Sequence, residues 1–191
     1  IDRYAAEADG VILVNRVKPH TAFHDRYESG LFKMMAIGLG KQYGAAVVHQ
    51  TGSDQMGKNI RQFGGKILQT ANILFGVACI ENAFHKTLDI VSMTREEIPT
   101  NEPLLLERAR ASISKLMFDN LDVLVIGEIG KNISGTGMDP NVTLAYGPEA
   151  RILMNNKPQR IAVLDLTEET HGCANGIGLA DVTTTRVADA Y

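Results

Sequence analysis

Apolar and polar positions along the chain follow two periods, and the switches between them mark the elements. Val11-Ile12-Leu13-Val14 is an unbroken apolar run, three of its four residues β-branched, closed off upstream by the turn pair Asp9-Gly10. Such a run predicts a buried strand. Val123-Leu124-Val125-Ile126 and residues 160–166 repeat it. Residues 73–80 and 86–93 alternate, and predict two strands joined as a hairpin through Glu81-Asn82-Ala83. Helical spacing predicts helices over 1–8, over 30–41 despite Gly38 and Gly40, and over 54–72, weakened by Gly64-Gly65. Another helix starts at Thr100-Asn101-Glu102-Pro103, with Asn101 as its cap and Pro103 in its first turn, and runs to Lys115. Residues 179–190 close the chain as a helix, and 94–102 is the expected internal linker.

The order strand, loop, helix recurs at 11, 123 and 160. Buried strands followed by helices predict an α/β fold: a mostly parallel sheet flanked by helices, with a β-hairpin near the middle. In such sheets ligands bind beyond the carboxyl ends of the strands. The loops 15–29, 127–147 and 167–178 all fall there.

Composition changes this picture little. With 45% hydrophobic and 21% charged residues the 191-residue chain is ordinary globular protein and can bury a core. A net charge of -3 offers no attraction to nucleic acid or an acidic membrane. The apolar runs are too short to cross a bilayer. Cys79 and Cys173 lie far apart with no CxxC spacing, which suits reduced thiols and a cytoplasmic location. Ile-Asp-Arg-Tyr-Ala-Ala-Glu-Ala reads as the end of a helix. Residues are therefore expected to be missing upstream, with this chain a piece of a larger protein.

The chemistry gathers in the first loop. Lys18, His20, His24, Asp25, Arg26 and Glu28 fall within eleven positions, Lys33 and Lys41 follow on the next helix, and His49 ends the next apolar stretch. A mix of imidazole, amine and carboxylate at a strand end suits acid–base work, since imidazole titrates near neutral pH. The plain alternative is a solvated loop. Lys33 lies between Phe32 and Met34-Met35. Burial of that face would desolvate its amine and favour a nucleophilic role; otherwise its stem packs on apolar neighbours while the head reaches water. His20 and His24 make no zinc pattern, for want of a third ligand at short range. Ser134-Gly135-Thr136-Gly137 can cradle an anion with backbone amides, but it has neither GxGxxG order nor the Walker lysine. Met138-Asp139-Pro140-Asn141 is a turn sequence. His171 is a further strand-end histidine.

Val17-Lys18-Pro19-His20-Thr21, then Ser29-Gly30-Leu31-Phe32-Lys33, then His49 resemble the second half of the nickel-dependent lactate racemases. That family carries a Pro-His, a Gly-rich segment ending in lysine, and a histidine sixteen residues later, the interval from Lys33 to His49. The Asp139 to Asn141 turn and Asn175-Gly176-Ile177-Gly178 are similar to two further family segments. The resemblance implies an enzyme that interconverts 2-hydroxyacids by hydride transfer to a nickel-pincer nucleotide. Lys33 would be the covalent attachment point of that cofactor, His49 the nickel ligand, and His20 an acid–base residue. One imidazole on square-planar nickel is reasonable chemistry. Asp139 and Asn141 would contact substrate. Lys131 would stand in for a substrate lysine that the family carries after the turn and that residues 142–147 lack.

The expected function is thus the cofactor-anchoring half of a 2-hydroxyacid racemase or epimerase. Its expected partners are a small 2-hydroxyacid and the missing N-terminal domain, with no nucleic acid and no membrane. The cofactor is expected in the full-length protein and not in this fragment, which is expected to be inactive alone. The alternatives are a cofactor-independent isomerase or lyase, and a small-molecule binding domain on the same fold.

Overall fold

A computed structural model describes residues 1–118, 120–145 and 158–190. The chain divides into two compact units, Ile1–Ser114 and Lys115–Tyr191. The division falls after the segment 94–102, which the sequence suggested as a linker. That segment is instead the entry into a packed helix, begun by the Thr94 amide donating to the Glu97 side chain at 2.8 Å.

The first unit opens with helix α1 (Arg3–Glu7), capped by the Asp2 carboxylate on the Ala5 amide. Strand β1 (Val11–Arg16) follows. Beyond the first loop come α2 (Leu31–Lys33), a π-helical turn (Met34–Gly38), α3 (Lys41–His49) and α4 (Met56–Thr70). Strands β2 (Ile73–Glu81) and β3 (Thr87–Thr94) and helix α5 (Ile98–Ser112) complete it. The sheet order is β1-β2-β3, with β1 parallel to β2 and β2 antiparallel to β3. Asn82 makes the expected hairpin turn: its side-chain oxygen accepts from the Phe84 and Lys86 amides, and His85 takes a left-handed φ of 56°.

The expected helix over 30–41 is two helices meeting at Lys41, whose φ of 53° turns the chain. Helix α5 starts earlier than its Asn101 cap signal, at Ile98 with Pro99 in the first turn, so Pro103 lies inside it. A proline there has no N–H for the carbonyl four residues back. That carbonyl, Pro99 O, accepts instead from the Tyr27 hydroxyl at 2.8 Å and from Arg26 at 3.3 Å. The interruption thereby fastens the first loop to α5.

The core of this unit joins Leu13 and Val17 to Leu31, Phe32 and Met35, to Ile60 and Leu68 of α4, and to Ile98, Leu105, Leu106 and Ala109 of α5. It lies on one face of the sheet. On the other, Ile12 is 50% and Val14 63% exposed within the chain. An unbroken apolar run is the mark of burial on both faces; β1 is covered on one.

The second unit holds β4 (Val123–Ile129), α6 (Pro140–Thr143), β5 (Arg160–Leu166), β6 (Val182–Thr183) and α7 (Thr185–Ala190). Its sheet, β4-β5-β6, is parallel throughout. The fold is therefore α/β with mostly parallel pairing, arranged as two three-stranded sheets, one of them carrying the antiparallel hairpin pair. The closing helix is shorter than the spacing suggested, because Val182 and Thr183 pair with Ala162 and Val163 as a strand. Residues 146 and 147, the end of the expected Gly-rich loop, lie outside the described residues.

Candidate functional site

Strand β1 hands its ladder directly to the first loop: the Val17 amide donates to Cys79 O at 2.8 Å. Lys18 and Ser29 then pair as an antiparallel bridge, closing the loop at its neck. Asn15 reaches across to Gly30 O at 2.9 Å. Tyr27 stacks on Phe32 with ring centroids 3.9 Å apart. Residues 18–29 form a fixed shape and not a solvated tether.

At the centre of that loop lies Glu28, 1% exposed. Its Oε2 accepts from the His20 amide at 2.7 Å, and its Oε1 accepts from the Asp25 amide at 3.0 Å and lies 3.3 Å from His24 Nδ1. Arg110 of α5 donates to the same Oε1. Four donors on one buried carboxylate are what a buried charge needs. Glu28 and Arg110 thus set the positions of both loop histidines. Sequence reasoning counted Glu28 only as one of the loop's charges and missed Arg110, 82 residues further on.

His20 is half-buried, its ring tilted against Phe23 at a centroid distance of 4.4 Å. Its Nδ1 accepts from the Ala22 amide at 3.1 Å. The ring is held neutral near pH 7, its pKa lowered to about 4 by burial first, then by the positive charges of Lys33, Lys18, His24 and His49. With Nδ1 accepting, the neutral ring carries its proton on Nε2. In that tautomer Nε2 is a hydrogen-bond donor.

Lys33 ends α2, directly before the π-turn in which the Leu39 amide donates to Met34 O at 2.9 Å. Isolated π-turns recur at functional sites. The Lys33 amine is half-buried, and burial lowers its pKa from the ordinary 10.5, helped by the charge of Lys18. His49 is exposed at the last position of α3. The charges of Lys33 and His49 both act on the His20 ring, so these three residues belong to one neighbourhood of the first unit. Among the described residues no group of three His, Cys, Asp or Glu side chains gathers as a metal site.

The remaining candidates lie in the second unit. Lys131 is exposed in the loop after β4. Asp139 caps α6, accepting from the Asn141 amide at 2.9 Å and the Asn141 side-chain nitrogen at 3.0 Å, which makes the pair a local turn. The expected anion cradle at 134–137 uses its own donors: the Ser134 amide goes to Gly130 O and the Gly137 amide to Ser134 O. His171 is exposed at a left-handed φ of 50°.

The fold and this neighbourhood define an α/β chain with a cationic His–Lys cluster at the carboxyl end of its first parallel strand. No family model, curated protein or solved structure matches the chain. Its closest statement of kind is thus the geometry itself. The signal that could have revealed Arg110 is in α5: Glu102 and Arg110 are charged residues at helical spacing along the face that buries Ile98, Leu105, Leu106 and Ala109.

Proposed function

We propose that this chain is the cofactor-anchoring part of a two-domain 2-hydroxyacid racemase or epimerase, working with a nickel-pincer nucleotide in a cytoplasmic protein. The observation that carries the reading is the His20 ring, neutral and half-buried within the fields of Lys33, Lys18, His24 and His49. The amines of Lys18 and Lys33 favour an anionic ligand such as a carboxylate. Among the described residues no helix is long and apolar enough to cross a membrane.

The residues suit the cofactor in kind. His49 would supply an imidazole ligand to the nickel. Lys33, whose amine loses its proton more readily than an ordinary lysine, is the attachment point. The cofactor, when bound, supplies a hydride acceptor.

His20 handles the proton of the substrate hydroxyl. To take the hydroxyl proton the neutral ring must present an unprotonated Nε2, with its own proton moved to Nδ1 and the Ala22 amide released. The imidazolium so formed returns the Nε2 proton to the oxygen when the alcohol is rebuilt. Lys18 attracts the substrate carboxylate to the neck of the loop.

The test is made on the full-length protein purified from a cell that produces the cofactor. Peptide mass mapping is expected to find a covalent adduct on Lys33, and elemental analysis about one nickel per chain, the stoichiometry of one imidazole-ligated ion. His49→Ala is expected to lose the nickel and keep the adduct. An unmodified Lys33 in a nickel-free protein would falsify the reading.

A further inference from the structure

We infer that Glu102 is a positioning residue for the Lys33 amine, because its carboxylate caps, from α5, the helical turn that carries that lysine.

Helix α2 contains three α-helical residues and has no side-chain cap of its own; Gly30 precedes it. Its leading amides, on Leu31 and Phe32, belong to residues 0% and 3% exposed, out of reach of water. Leaving such a donor unpaired costs about 1–3 kcal/mol, and a helix this short has little cooperativity to offset it. Glu102 supplies the acceptor. Its Oε2 takes the Phe32 amide at 3.1 Å and its Oε1 lies 3.4 Å from the same nitrogen, 70 residues away in sequence. The Leu31 amide also acts on the same carboxylate, favouring its charged form.

Three observations mark this as a built arrangement. Glu102 is 2% exposed, and among the described residues it has no ion-pair partner. A buried carboxylate without a cation is costly unless amides satisfy it. A side chain on Gly30 would place Cβ 2.3 Å from Glu102 Oε1, so glycine there is the condition for the approach. The helix continues as a π-turn, so its register depends on how the first turn is held. Lys33 is the third residue from Gly30, and its half-buried placement follows from that turn. Burial raises the carboxyl to about 7 against the pull of the two amides, and the titratable group that feels Glu102 from the loop side is the Tyr27 phenol.

The inference deepens the proposed function, since it takes Lys33 as the reactive amine. Its test needs no cofactor. The 191-residue chain is acetylated with acetic anhydride at a series of pH values from 7 to 11, and the labelling of Lys33 is compared with exposed Lys58 by peptide mass. Wild type and Glu102→Gln, which keeps an acceptor oxygen, are expected to label Lys33 half-maximally at lower pH than Lys58. Glu102→Ala is expected to move the Lys33 profile up toward that of Lys58 as the amine gains solvent. It should also speed exchange of the Phe32 amide tenfold or more, with strands β2 and β3 unchanged. Identical Lys33 profiles in wild type and Glu102→Ala overturn the inference. Should the alanine variant not fold, the Phe32 amide nitrogen shift decides: an inflection near pH 7 in wild type, absent in Glu102→Gln, supports the cap, and a flat wild-type titration overturns it. An unmodified, nickel-free full-length protein that still shows the labelling shift removes the cofactor reading and leaves the cap standing.

Discussion

Glu28 is the residue on which the histidine loop depends. It collects the amides of His20 and Asp25, the His24 ring and the Arg110 guanidinium in a place with no water to replace them. Glu28→Gln has nearly the same shape but turns an NH2 group toward a set of donors and leaves Arg110, about two-thirds buried, with only the exposed Glu107 as counter-charge. Removing one member of a buried pair costs about 3 kcal/mol, and the partial exposure of Arg110 places this case toward 2. Urea denaturation is expected to show that loss, with faster amide exchange confined to 19–28. A variant that unfolds at the wild-type urea midpoint would mean that the loop is held by its neck alone.

At the scale of elements, α4 carries two adjacent glycines that ask for opposite treatment. A Cβ on Gly64 would stand 2.9 Å from both the carbonyl oxygen and a ring carbon of Phe32, whereas one on Gly65 meets only a Phe32 ring carbon at 4.0 Å. Gly64→Ala must therefore push α2 away and is expected to cost about 1–3 kcal/mol, as overpacking does. Gly65→Ala adds only helix propensity and is expected to stabilise by up to about 1 kcal/mol. Thermal melts of the two variants check the contrast, and equal shifts of one sign would rule out the close packing of α4 on α2.

Those glycines also show why the sequence was legible in some elements and opaque in others. Gly64-Gly65 weakened the helix signal without hiding it, because Ile60, Ile67 and Leu68 keep the helical period around them. The strands at 11, 123 and 160 were legible from apolar runs and those at 73 and 87 from alternation, both of which need only local sequence. Helix α3 was not, since Gly40 and Gly44 punctuate a short segment and its start rests on a left-handed Lys41. The loop histidines and Lys33 announced themselves by crowding. What holds them was only half legible: the helical spacing of Glu102 and Arg110 marks them as charges on the buried face of α5, but the partners they reach across 70 and 82 residues have no signature in a single sequence.

For the molecule as a whole, two buried groups of the first unit make opposite contributions to stability across the same acid range. His20 has an ordinary pKa of 6.5 and one of about 4 in the fold. Between those values the unfolded chain binds the proton more tightly, so its contribution grows as pH rises and is lost as pH falls from 6.5 toward 4. Glu102 runs the other way. Its carboxyl has an ordinary value of 4.5 and holds its proton to about 7 in the fold, so its contribution is full below 4.5 and is lost as pH rises through 7. The two slopes offset each other between 4.5 and 6.5, and above 6.5 only the falling one remains. Single substitutions separate them. Urea midpoints measured from pH 5 to 8 are expected to fall up to about pH 7 and then level in His20→Asn, which keeps the Glu102 slope alone. In Glu102→Gln they are expected to rise up to about 6.5 and then level. The wild-type curve should lie between, bending downward above 6.5. Three parallel curves would show that neither group changes its proton affinity on folding, and would remove the electrostatic basis on which the His20 cluster is read as a site.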